Sequence, residues 1–233
     1  MKIEFVPGTM CDERLWSRLL PYLGQQIQPH FISLADVSDR DAIHLKLADE
    51  IPEGAHVVAF SMGGYLALEH ALANPQKLCS LVVIAASARG LGAQERGRRQ
   101  RMLEHLASRP YAGISRAQVA TFLGSAGAAD SGLTDLIIEM DHSLGARTFQ
   151  AQLSASMDRP DLLPSLSTLD CPVLIVGSTD DRLVQVEHLE EMNNALPHCR
   201  LRLLHGSGHM IPLEAPEALS REISAFHQSL EAN

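Results

Sequence analysis

This chain of 233 residues predicts an α/β fold, a doubly wound and mostly parallel sheet with a helical insertion, on three observations. Short aliphatic or β-branched runs recur at residues 3–6, 56–60, 81–85, 173–176 and 201–204, as expected of strands covered on both faces. Helical spacing fills the intervals at 39–50, 62–73, 186–196 and 216–230, so strand and helix alternate as they do where crossover helices join parallel strands. The stretch 89–165 then breaks the rhythm, with no strand-like run and much Ala, Gly, Arg and Gln at helix-compatible spacing.

Taken in order, the run at 3–6 opens the sheet, and a second strand-like run follows at 28–34. The run at 56–60 leads straight into Phe60-Ser61-Met62-Gly63-Gly64, and Asn74-Pro75 closes the helix that begins there, because proline cannot continue the hydrogen-bond ladder. The irregular stretch at 89–165 lies between the strands at 81–85 and 173–176. That position sets it over the carboxyl edge of the sheet, where open α/β folds bind ligands, and predicts a helical lid inserted into a core made of 1–88 and 166–233.

Composition narrows the function. Hydrophobic residues make up 45% of the chain and charged residues 20%, with a formal net charge of -9, the balance of a globular protein for which nucleic acid is not the expected partner. Cys11, Cys79, Cys171 and Cys199 are far apart, with no Cys-x-x-Cys pair, and read as buried thiols. There is no apolar secretion-signal region at the start and no apolar run of membrane-spanning length. The expected setting is the cytoplasm, with a small-molecule substrate, no cofactor and no metal.

Ser61 sits where a strand meets a helix, flanked by the small residues Ala59 and Gly63, as a serine on a sharp turn requires. Two later strands end in chemistry of the same kind. The first runs Val173-Leu174-Ile175-Val176-Gly177-Ser178-Thr179-Asp180, and the second leads to His205-Gly206-Ser207-Gly208-His209. The order Ser, Asp, His, each just past a strand, lets the loops of a doubly wound sheet bring the three together. The Gly177-x-x-Asp180 spacing favours Asp180, with Asp181 as the alternative. His209 is favoured over His205 by Gly208 before it and Glu214-x-Pro216 after it. Trp16 reads as a core anchor.

Together these stretches resemble the α/β-hydrolase family over nearly the whole chain: Pro7-Gly8-Thr9 with Trp16, residues 59–64, residues 177–180, and Gly208-His209 with Glu214-x-Pro216. Small lid-bearing esterases and lactonases are most similar. The resemblance implies Ser61 as nucleophile, His209 as general base and Asp180 as its orienting carboxylate. It implies an oxyanion hole from the backbone N–H groups of Met62 and Thr9, with Met10 as fallback. The chain departs from the family in carrying Pro7-Gly8 where His-Gly is usual, and Ala35-Asp36-Val37-Ser38 where a glycine-rich turn is usual.

The expected activity is therefore hydrolysis of small carboxylic esters or lactones through an acyl-enzyme. The same fold also serves acyl transfer, carbon–carbon cleavage and elimination, and a non-catalytic small-molecule binder is the reading from another class. Arg96, Arg98, Arg99 and Arg101 form a basic cluster in the insertion. With Arg89, they are either a solvated helix face or a site for a substrate carboxylate or a phosphate-bearing carrier.

Overall fold

A computed structural model describes residues 1–231. Its six strands are β1 (Lys2–Val6), β2 (Gln28–Phe31), β3 (Ala55–Phe60), β4 (Leu78–Ile84), β5 (Val173–Ser178) and β6 (Cys199–Leu204). They form one sheet in the order β2-β1-β3-β4-β5-β6, and every neighbouring pair is parallel. The order reverses between β1 and β3, and at such a reversal the loops leaving the carboxyl ends open a crevice.

Among the described residues there are nine α-helices, α1 (Arg40–Glu50), α2 (Met62–Ala73), α3 (Ala93–Ser108), α4 (Arg116–Phe122), α5 (Ser125–Ala129), α6 (Ser131–Ala155), α7 (Val186–Ala195), α8 (Ile211–Glu214) and α9 (Pro216–Glu231), and three short 3-10 helices at Glu13–Trp16, Leu20–Tyr22 and Leu163–Thr168. Successive residues of β3 serve opposite faces, as the two-residue period of a strand dictates. Val57 and Ala59 join a core with Ile43 and Leu47 of α1, Leu68 of α2 and Leu189 and Met192 of α7. Val58 and Phe60 join another with Trp16, and with Leu219, Ile223 and Phe226 of α9. Trp16 is fully buried, its ring centroid 4.9 Å from that of Phe5.

Helices α3 to α6 all lie between β4 and β5. The base of this insertion is closed where the Leu162 amide donates to Ala88 O (2.9 Å) and the Tyr65 hydroxyl to Pro160 O (2.8 Å). Within α6, Gly145 takes φ 70° and ψ −178°, a conformation open essentially to glycine alone. The break lets the second half of α6 turn back to the sheet, where Gln152 and Ala155 are buried.

Candidate active site

The turn at Ser61 follows from two hydrogen bonds that leave one residue in which to change direction. The Ser61 amide donates to Ile84 O (2.9 Å), extending the β3–β4 ladder, while its carbonyl accepts the Tyr65 amide (3.1 Å), opening α2. Strand therefore becomes helix within a single residue, and Ser61 is driven to φ 51° and ψ −116°. A non-glycine residue held there carries of order 1–3 kcal/mol of strain. Gly63 makes the corner sterically feasible: a Cβ on it would clash with Pro7 O and lie 2.7 Å from Val6 O. The other two non-glycine residues with positive φ among the described residues are Met10 (54°) and Ala85 (48°), in the loops that leave β1 and β4.

His209 is buried, 5% exposed, and is fixed from the insertion. Its amide donates to Phe122 O (2.6 Å). The Glu214 carboxylate accepts the amides on either side of it, Gly208 (3.0 Å) and Met210 (3.1 Å), together with that of Gly124 (2.7 Å). Burial lifts the Glu214 carboxyl above its ordinary pKa, while these amide bonds pull the other way. The ring of His209 packs on Phe60, with centroids 5.1 Å apart.

The structure brings Ser61 and His209 together, with Ser61 Oγ 2.9 Å from Nε2. The carboxylate on the other side of the ring is Asp181, not the expected Asp180: Asp181 Oδ2 lies 2.8 Å from Nδ1. The reason is how far β5 persists. The Thr179 amide still donates to Leu204 O (3.0 Å) and the Asp181 amide donates back to Ser178 O (3.3 Å), so the chain turns toward the histidine one residue later than the glycine spacing suggested. Asp180 stays exposed and accepts the Gly206 amide (2.7 Å). The Asp181 side chain is 1% exposed, and its second oxygen is held by the amides of Leu183 (2.7 Å) and Val184 (3.2 Å). His205 is exposed, facing Thr179 Oγ1 at 3.0 Å.

A carboxylate only accepts hydrogen bonds, so Asp181 fixes the ring proton on Nδ1 and leaves the Nε2 lone pair facing the Ser61 hydroxyl. In this state the ring is poised to take the serine proton. Of the expected oxyanion donors, the Met10 amide is committed to Gln152 Oε1 (2.9 Å), and Gln152 Nε2 in turn donates to Leu34 O (3.0 Å). Met62 opens α2, where backbone amides have no intrahelical acceptor, and Thr9 faces it across a 3.5 Å contact between Oγ1 and Sδ. Cys11 also borders the site, but burial and the charge of Asp12 push its thiol up to about 12. It is protonated at neutral pH, and a thiol in that state is a poor nucleophile.

Ser61, Thr9 and His209 open onto a cavity of about 850 Å³, walled on the insertion side by Arg98, Met102, Tyr111 and Phe149. That volume lies within the usual range for small-molecule sites. Among the described residues, no group of three or more His, Cys, Asp or Glu is placed to hold a metal ion, and no helix is long and apolar enough to cross a membrane. Gln152, Phe122 and Gly124 complete the site without having been legible in the sequence. Glu214 was legible as part of a motif, though its role as a clamp on backbone amides was not.

A parallel sheet that carries a serine on a strained strand–helix corner, hydrogen bonded to a histidine and through it to an aspartate, places the chain among the doubly wound α/β proteins. The chain belongs to the alpha/beta hydrolase family, whose model matches residues 5–222. It is 22% identical to the biotin biosynthesis bifunctional protein BioHC of Cellvibrio japonicus, over 98% of this chain and 48% of that protein, so it spans about half the length of that relative. It is 23% identical to the pimeloyl-[acyl-carrier protein] methyl ester esterase of Aeromonas hydrophila, over 94% of this chain and 92% of that one. Among solved structures, a thermophilic esterase from Thermogutta terrifontis superposes with a TM-score of 0.86 at 20% identity, covering 99% of this chain and 90% of that one.

Proposed function

We propose that this protein hydrolyses small carboxylic esters or lactones through an acyl-enzyme, with Ser61 as nucleophile, His209 as general base and Asp181 as orienting carboxylate. The observation that carries the reading is the unbroken chain from Asp181 Oδ2 through both ring nitrogens to Ser61 Oγ, at 2.8 Å and 2.9 Å. Ser61 Oγ attacks the acyl carbon as its proton passes to His209 Nε2. The carbonyl oxygen, now negative, is received by the amides of Met62 and Thr9, and the imidazolium returns the proton to the departing alkoxide. Water repeats the sequence on the acyl-enzyme, releasing the acid and the free serine. General-base assistance supplies about 10²–10⁴ in rate, and each oxyanion donor about 10²–10³ more.

The esterases among the relatives support this assignment, and the insertion serves as the lid that bounds the acyl pocket. The test is turnover of 4-nitrophenyl butyrate together with labelling by a fluorophosphonate probe. The wild-type protein is expected to cleave the ester and take the label on Ser61. Ser61→Ala is expected to do neither, with a loss of up to about 10⁶ in kcat. Cleavage by the Ser61→Ala protein at near wild-type rate overturns the assignment.

A further inference from the structure

The basic cluster of the insertion separates, in the structure, into arginines already engaged and arginines that are not. Arg89 is paired with Glu191, Arg96 with Asp158 at 2.8 Å, and Arg99 with Glu95 at 2.6 Å and with the Ser156 hydroxyl. Arg98 and Arg101 have no acidic partner among the described residues, and both line the cavity above Ser61.

Arg98 and Arg101 both remain exposed to solvent while bordering the cavity. On α3, positions 98, 101, 102 and 105 fall at helical spacings of three, four and seven, so they form one stripe. That stripe, Arg98, Arg101, Met102 and His105, faces the cavity. The helix fully buries no residue of its own, and its half-buried apolar side chains are Leu103 and Leu106. The pairs of Arg96 with Asp158 and Arg99 with Ser156 tie α3 to the residues that follow α6, while Arg98 and Arg101 are left to line the cavity. The chain as a whole carries a net charge of -9, yet three arginines line this cavity against one carboxylate, Asp141. That carboxylate is already occupied by the Tyr111 hydroxyl and the Ile114 amide. The same cavity is also lined by the apolar side chains of Met102, Leu106, Ile137 and Phe149.

From this arrangement we infer that the preferred substrate is an ester whose acyl chain ends in a carboxylate, received by Arg98 and Arg101 while the aliphatic stretch lies on the apolar wall and the ester reaches Ser61. Guanidinium groups suit this task because their planar donors match a carboxylate and keep their charge at every working pH. The inference rests on the esterase reading given above and adds to it the chemical class of the substrate.

The experiment compares mono-4-nitrophenyl adipate with 4-nitrophenyl hexanoate, two acyl chains of equal length that differ in the terminal charge. The quantity read is the ratio of their kcat/KM values. Wild-type protein is expected to favour the adipate ester, and added salt to reduce that preference. Arg98→Gln with Arg101→Gln is expected to lower the ratio by about tenfold or more, chiefly through KM, and Arg98→Glu with Arg101→Glu to push it below the value for the double glutamine variant. Arg116→Gln, on an outer surface where Arg116 pairs with Asp135, is expected to leave the ratio where it was. Cleavage of both esters with a ratio that the double variants do not move overturns the inference and leaves the esterase reading intact. Failure of the wild-type protein to cleave either ester overturns the esterase reading itself.

Discussion

Adjacent aspartates offer a test in which chemistry and position are separated by one residue. Asp181→Asn keeps the volume of the side chain and an oxygen for the Leu183 and Val184 amides, but replaces the acceptor facing His209 Nδ1. An amide nitrogen placed there donates to Nδ1 and drives the ring proton to Nε2, where it blocks the serine. Loss of the orienting carboxylate in this way costs about 10⁴ in kcat, equivalent to about 5.5 kcal/mol of transition-state stabilisation. Asp180→Asn removes an exposed charge and weakens one hydrogen bond to the Gly206 amide, worth about 1 kcal/mol and so a factor of roughly five at most. The assay is kcat on 4-nitrophenyl butyrate at pH 7.5 for both variants, with circular dichroism melts to establish that each is folded. A folded Asp180→Asn protein that loses four orders of magnitude while Asp181→Asn stays active refutes the reasoning.

Three further outcomes are expected. Ser61→Gly, which relieves the positive φ of the corner, melts above Ser61→Ala by about 1 kcal/mol or more, and equal melting temperatures for the two inactive proteins contradict the strain. Gly63→Ala forces a methyl against two backbone carbonyls that have no freedom to withdraw; it costs about 1–3 kcal/mol in denaturant unfolding and lowers turnover, because Pro7 precedes the Thr9 loop. Burial holds His70 and His227 near pKa 4, aided by the charges of Lys77 and His56 respectively. Both rings take up protons in the unfolded chain near pH 6.5 and in the folded one only near 4. Stability is therefore full above pH 6.5 and falls toward pH 4, by up to about 1.4 kcal/mol per pH unit for each ring. Glu214, its pKa raised on folding, opposes this trend at the acid end. Urea titrations at pH 7.5, 6 and 5 read the slope, His227→Gln flattens it, and a level profile sinks the account.

The parts of this molecule that could be read from its sequence are those fixed by local chemistry. The central strands β3, β4 and β5 are buried on both faces and so wrote unbroken apolar runs. The corner at Ser61 needed small neighbours, and Ala59 and Gly63 supplied a spacing that could be recognised. Edge strand β2 was expected to run through residue 34 and ends at Phe31, because its side chains are largely exposed and carry no two-faced pattern. Asp181 was displaced by its neighbour because the turn begins only where the β5–β6 ladder stops, a property of two strands rather than of one spacing. Gln152, which holds the Met10 amide from the far end of the insertion, left no local trace.

The bond from the His209 amide to Phe122 O and the grip of Glu214 on Gly124 bear on how this scaffold is re-engineered. Exchanging the four helices wholesale for those of another protein, as a means of changing what the cavity admits, also discards the carbonyl and amide that seat the imidazole. A graft that retains residues 122–124 preserves that seat, so new specificity is best introduced through α3 and the first half of α6.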